Sequence, residues 1–164
     1  ITQSRFGDLV TMAWWDNVWL NEGFASWMGT KCTDHFNPEW AVWLREIRDG
    51  KKQEAMATNA LSATHPIQQP VKTESEADSA FDEITYSKGS AFLRMLESYL
   101  GEEDFRAGIR SYMQAHKFSN STTADLWNAL AESSKKPVSA LAANWTEQPG
   151  LPLVSLNSTT VSSN

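Results

Sequence analysis

One carboxylate stands among aromatic side chains. In Trp14-Trp15-Asp16-Asn17-Val18-Trp19-Leu20-Asn21-Glu22-Gly23-Phe24-Ala25, Glu22 is crowded by tryptophans and other apolar groups. A carboxylate in such company is costly to bury unless something meets its charge. A metal ion, an Arg or Lys, or a set of N–H donors would serve. Read by itself, Glu22 is also a helix N-terminal acid, satisfied by the dipole of the helix it starts. A further chemistry pairs Glu22, Asp16 or Glu83 as acid and base on a sugar, where two carboxyls stand roughly 5–10 Å apart. No motif accompanies that pairing. Tyr86, in Phe81-Asp82-Glu83-Ile84-Thr85-Tyr86-Ser87-Lys88-Gly89, reads alone as a core phenol with a satisfied hydroxyl. Lys88 is a candidate partner for Glu83 or Glu22. His35, His65 and His116 form no i, i+4 pair and read as structural or surface histidines. Cys32 is the single cysteine, so no intrachain disulfide can form. It reads as a small buried side chain rather than a reactive thiol.

Trp19-Leu20-Asn21-Glu22-Gly23-Phe24-Ala25, with Phe6-Gly7-Asp8-Leu9-Val10-Thr11 ahead of it, closely resembles the zinc aminopeptidases of the aminopeptidase N family. The resemblance implies that Glu22 is a zinc ligand. It also implies a preceding helix with His-Glu-x-x-His, which sets two His one turn apart and a Glu beside them as general base. Aligned on Phe6-Gly7-Asp8, the second His falls at Gln3, and Glu22 follows nineteen positions later, the family's spacing. The register agrees and the ligand does not: an amide oxygen is a weak ligand where zinc takes imidazole. Ser4 and Arg5 also depart from the family's Gln-Trp. The first His and the Glu would precede Ile1, as would the Gly-x-Met-Glu-Asn motif that holds the substrate amine. A second match is Tyr86 with Lys88-Gly89 and the apolar helix after it. By resemblance Tyr86 donates to the oxyanion, a role suited to the neutral, directional phenol O–H. A weaker match is Ser62-Ala63-Thr64-His65-Pro66-Ile67, which in the family lies close to the active-site helix pair.

The elements that must position these residues follow from periodicity and punctuation. Residues 1–13 read as the end of a helix running into a turn, with Gly7 as breaker. Residues 22–36 suit a helix, with Phe24, Trp27, Met28 and Cys32 near a 3.6 spacing. Asn37-Pro38-Glu39 reads as a capped helix start. Trp40, Trp43, Leu44 and Ile47 follow as an apolar face, opposite a solvated face of Arg45, Glu46, Arg48 and Asp49. Residues 58–78 read as a long irregular segment of the kind that is more often functional or surface-packed than idle. Ala91 to Leu100 repeats as a helix, ended by Gly101. Glu102 to His116 is another, with Phe105, Ile109, Tyr112 and Met113 inward. Thr122-x-x-Asp125 resembles a capping box ahead of Leu126, Trp127 and Leu130. Lys136-Pro137 opens a last helix to Trp145, stopped by Gln148-Pro149-Gly150-Leu151-Pro152.

These elements predict an all-α fold. By resemblance it is an irregular bundle, the helical lobe of a thermolysin-like catalytic domain over residues 1–152, with 153–164 the stub of a following β domain. Eight Trp, seven Phe and three Tyr in 164 residues supply a real core. A net charge of −6 with scattered Lys and Arg argues against a nucleic-acid partner. No apolar run reaches the roughly 18 residues of a membrane span. The three Asn-x-Ser/Thr triplets at Asn120, Asn144 and Asn157 read as chance. The function implied is removal of N-terminal amino acids from peptides by zinc-activated water. With Gln3 in a ligand position, the chain alone is expected to be weak or inactive. The other classes are a non-catalytic helical module, which would self-associate or take the missing lobe in trans, and the carboxylate-pair hydrolase.

Overall fold

The computed structural model describes residues 6–48, 51–152 and 155. Strand β1, Val10–Met12, comes first, then a single 3-10 turn, Trp15–Asn17, that opens helix α1, Val18–Phe36. A second 3-10 turn, Pro38–Trp40, precedes α2, Val42–Arg48, and α3, Lys51–Asn59. After a stretch without regular structure come α4, Glu74–Ser79, and a π-helical turn, Ile84–Lys88, which runs directly into α5, Gly89–Leu100. The remainder is α6, Glu102–His116; strand β2, Ser119–Ser121; α7, Thr123–Ser134; and α8, Val138–Thr146. The fold is the expected all-α bundle, and none of the helices among the described residues is long and apolar enough to cross a membrane.

The first half of α1 is the hub. Val18, Trp19, Leu20, Gly23, Phe24 and Trp27 are all buried, on more than one side of the helix, so neighbours must cover it nearly all round. Phe92, Leu93 and Leu96 of α5, Phe105 of α6, and Leu126 and Leu130 of α7 close over it. The Trp19 ring lies 5.7 Å from Trp127, and the Trp27 ring 5.3 Å from Phe105. Such ring pairs add to the area they bury. Gly108 lets α6 and α7 close up, since a Cβ there would fall 2.6 Å from Ser133 Oγ and 2.8 Å from Leu130 Cδ2. The expected capping box holds at Thr122 and Asp125, where Asp125 Oδ2 accepts from the Thr122 N–H at 2.8 Å and the Thr122 hydroxyl accepts from the Asp125 N–H. Buried Asn17 ties the start of α1 to the start of α7: its Oδ1 accepts from the Thr123 N–H at 2.8 Å and hydroxyl at 2.7 Å.

The structure corrects several sequence expectations. Within residues 1–13 the described part is not a helix end. Val10–Met12 is a strand, paired in parallel with β2 at Val10↔Ser119, Thr11↔Asn120 and Met12↔Ser121. The β-branched Val10 and Thr11 favour this, and Leu9 O accepts from the Phe118 N–H at 2.6 Å to extend it. Gln3, Ser4 and Arg5 lie outside the described residues, as do Asp49, Asn157 and nearly all of 153–164. Asn37 makes no side-chain cap, and Ala41 at φ 46° interrupts the expected helix. Trp40, Leu44 and Ile47 are exposed rather than inward. The opposite face is not simply solvated: Glu46 accepts from the Thr30 hydroxyl and pairs with Lys52 at 2.7 Å. Within 58–78, Thr73 caps a short helix by accepting from the Glu76 N–H, so the acidic stretch is α4. Cys32 is exposed, because the far half of α1 leaves the core.

Candidate active site

Glu22 does not start its helix. α1 begins at Val18 and has no acid in its first turn, so the reading of Glu22 as a helix N-terminal acid fails. It stands in the second turn, beside Gly23, and Gly23 meets Gly89. A Cβ on Gly23 would fall 3.3 Å from the Gly89 carbonyl carbon, and one on Gly89 would fall 3.6 Å from Gly23 Cα. Only residues without side chains let two backbones approach so closely. One glycine follows Glu22 directly, and the other follows the turn that carries Tyr86. The crossing therefore delivers the two sequence-predicted site residues to one another.

Tyr86 is half-buried at the centre of the π-helical turn, whose Ile84 and Thr85 are fully buried. Single π turns inside helices often mark functional positions. Burial raises the phenol pKa above its ordinary 10.0, and the charge of Glu22 and a hydrogen bond to it raise it further. Tyr86 therefore keeps its proton at neutral pH and is a donor, which an oxyanion partner must be.

The turn is held from its N-terminal side by Asp82. Asp82 Oδ1 accepts from the Ile84 N–H at 3.0 Å and the Thr85 N–H at 3.1 Å, and its backbone oxygen accepts from the Tyr86 N–H at 3.1 Å. Asp82 Oδ2 lies 2.7 Å from His65 Nε2. Burial works against the Asp82 charge, but the His65 contact and the turn amides outweigh it and hold the pKa below the ordinary carboxylate value. His65 shifts upward through its hydrogen bond to Asp82, against partial burial. Lys88 pairs with neither Glu83 nor Glu22. Its ammonium donates to Asn59 Oδ1 at 3.3 Å and Gly150 O at 3.1 Å, and burial lowers its pKa.

A cavity of about 800 Å³ opens beside Tyr86, between α1, α2 and α3, with Ser26, Thr30, Glu46, Lys52 and Glu83 on its wall. Glu83 accepts from the Ser87 hydroxyl at 2.6 Å, and Asp16 accepts from the Asn17 amide at 2.5 Å. Both carboxylates thus have neutral partners of their own. Among the described residues no three His, Cys, Asp or Glu side chains converge as a metal site. Glu22 is one carboxylate, and by themselves the described residues do not make a zinc centre.

The family model of the peptidase family M1 domain matches residues 1–145. The chain belongs to peptidase family M1, the aminopeptidase N family. Among its relatives, aminopeptidase 2, mitochondrial, of Saccharomyces cerevisiae is 45% identical over 93% of this chain and 16% of its own length. The alanine/arginine aminopeptidase of the same yeast is 45% identical over 92% of the chain and 18% of its length. The tricorn protease-interacting factor F2 of Thermoplasma acidophilum is 44% identical over 95% of the chain and 20% of its length. The chain thus spans about a fifth or less of these relatives. M1 is a metallopeptidase family, and the match spans both Glu22 and Tyr86. The sequence reading carried Gly23, Gly89 and Asp82 only inside the quoted motifs and gave them no role of their own. Their signals were present: a glycine beside each site residue, and an Asp just ahead of a helical turn, the usual place for a side-chain acceptor.

Proposed function

We propose that this chain is the helical part, residues 1–152, of the catalytic domain of an M1 metalloaminopeptidase that removes N-terminal amino acids from peptides. In that reading Glu22 is one zinc ligand and Tyr86 is the donor to the oxyanion of the tetrahedral intermediate. The observation that carries it is the crossing at Gly23 and Gly89, which brings a carboxylate and a protonated phenol together, with the phenol on the wall of a cavity large enough for a peptide side chain. Zinc, when bound, supplies a Lewis acid for the carbonyl and activates water. This chain's own residues bind it through Glu22 and offer the Tyr86 O–H. The 164 residues by themselves supply no i, i+4 His pair, and Gln3 aligns with a ligand position. Alone, the chain is a weak or inactive peptidase.

The experiment is zinc per chain by elemental analysis, with release of alanine and arginine from chromogenic amides, with and without chelator. The expected result is well under one zinc and little release. One equivalent together with robust, chelator-sensitive release would overturn the claim of weakness and place the full activity in this chain. A second reading, a helical interaction module, draws on exposed Phe36, Trp40, Leu44 and Ile47 at the far end of α1 and on α2. It requires self-association in dilute solution, or binding of the remaining lobe in trans, and sedimentation velocity decides it.

A further inference from the structure

His65 belongs to neither element that meets at the glycine crossing. It sits on the segment between α3 and α4, and that segment is fixed to the core. Ile67 is 2% exposed within the main hydrophobic cluster, and the Gln68 N–H donates to Thr146 O at 2.8 Å. Both ring nitrogens of His65 are engaged, Nδ1 with Pro66 O at 2.7 Å and Nε2 with Asp82 Oδ2 at 2.7 Å. A carbonyl and a carboxylate only accept, so both nitrogens donate and the ring is the imidazolium.

We propose that His65 and Asp82 act as a pair of positioning residues for Tyr86, fixing the turn from which its hydroxyl meets Glu22. The proposal rests on the reading of Tyr86 as oxyanion donor. The connection runs through named atoms. The core holds the 65–68 segment, the imidazolium holds one oxygen of Asp82, and the other oxygen holds the amides of Ile84 and Thr85. The Asp82 carbonyl holds the amide of Tyr86 itself. A carboxylate that accepts both an imidazolium N–H and two backbone amides is a charge-assisted network, stronger than neutral bonds of the same length. It fixes a π turn, whose hydrogen-bond geometry is unusual and which gains from outside support. Glu83, the half-buried carboxylate next to Asp82, accepts from the Ser87 hydroxyl, while the turn's leading amides go to Asp82.

The test uses the whole 164-residue chain with tyrosines labelled at ¹³Cζ, and Tyr86→Phe to assign the signal. His65→Ala and Asp82→Ala should move the Tyr86 signal, with the Tyr99 and Tyr112 signals unmoved. His65→Gln, which still presents an N–H to Asp82, should leave all three in place. An unmoved Tyr86 in the Ala variants, or equal movement of all three tyrosines, overturns the proposal. If His65→Ala loses its near-UV circular dichroism, His65→Asn replaces it. Asn is too short to reach Asp82, and the Asn and Gln variants behaving alike would also overturn the proposal. Where the remaining lobe restores peptidase activity, kcat should fall in the Ala variants with KM held. A displaced Tyr86 signal with no peptidase activity in any assembly would sink the aminopeptidase reading and leave the pair standing.

Discussion

Replacing Gly23 by Ala tests the crossing on which the site depends. The added Cβ lies 3.3 Å from the Gly89 carbonyl carbon, 3.5 Å from Gly89 Cα and 3.5 Å from Trp19 Cε3. Two of these neighbours are backbone and the third belongs to a fully buried ring, so relief requires α1 and the start of α5 to part by a few tenths of an ångström. Alanine gains about 1 kcal/mol of helix propensity over glycine. Overpacking a closed contact costs about 1–3 kcal/mol, so the net is a loss of about 0–2 kcal/mol. Gly29, on the same helix, meets nothing within 4 Å. Gly29→Ala keeps the propensity gain without the clash and should stabilise by about 0.5–1 kcal/mol. The two variants should therefore separate by about 1–3 kcal/mol, the size of the overpacking term itself. Urea unfolding, followed by tryptophan fluorescence and far-UV circular dichroism, reads the difference. At an m-value of about 2 kcal/mol/M the midpoints differ by about 0.5–1.5 M. Gly23→Ala should also draw Glu22 from Tyr86 and let the phenol pKa fall toward its ordinary value. Equal stabilisation by the two alanines would refute the tight crossing.

Three further outcomes follow from the same coordinates. Gly108→Ala, whose Cβ would fall 2.6 Å from Ser133 Oγ and 3.0 Å from Leu130 Cα, should destabilise by about 1–3 kcal/mol, and an unchanged melting temperature would show that α6 and α7 are looser than described. Thr122→Ala removes the capping box of α7 and should cost about 0.5–2 kcal/mol by denaturant unfolding, with Thr122→Ser recovering most of it. The His65–Asp82 pair has a defined pH window. The raised His65 pKa contributes stability in full below its ordinary 6.5, lost as pH rises through the folded value above that. The lowered Asp82 pKa contributes above its ordinary 3.8, lost as pH falls through the folded value below that. The stability difference between wild type and His65→Ala should thus be greatest between these two ordinary values and shrink toward pH 8; a difference that grows with pH contradicts the charged pair.

Much of the fold was legible because burial and spacing agree. Phe92, Leu93, Leu96 and Leu100, then Phe105, Ile109 and Tyr112, lie where a 3.6 period puts them, and Gly101 at φ 96° ends the first of these helices as a glycine can. The start of α1 was harder to read. Trp14 to Leu20 carries apolar groups on every side, which masks the period, and the helix begins four residues before Glu22. β1 was illegible from its own residues, since three residues of strand exist only through pairing with Ser119–Ser121 more than a hundred positions away. The amphipathic pattern at Trp40 to Ile47 predicted an inward face; Trp43 does pack against the core, while Trp40, Leu44 and Ile47 stay in solvent. At the site, the motifs picked out Glu22 and Tyr86. What lay beyond them was relational: that Gly23 touches Gly89, and that His65 reaches Asp82 across seventeen positions, are facts of packing that no local pattern encodes.

The Asn59 amide bears on how the chain comes to be made. Its nitrogen donates to Gly150 O at 2.7 Å, its oxygen accepts from the Gly150 N–H at 3.2 Å, and Lys88 donates to both Asn59 and Gly150. Two partners of this knot leave the ribosome before the third, which follows ninety-one residues after the first. Until Gly150 is synthesised, Lys88, two residues beyond Tyr86, lacks its carbonyl partner. Gly23 and Gly89, the two glycines of the crossing, are both made before Gly150. Translation thus sets an order of synthesis: both helices of the crossing are made before the residue that completes the Lys88 shell. A nascent chain stalled before Gly150 would leave Lys88 with Asn59 Oδ1 alone of these two partners.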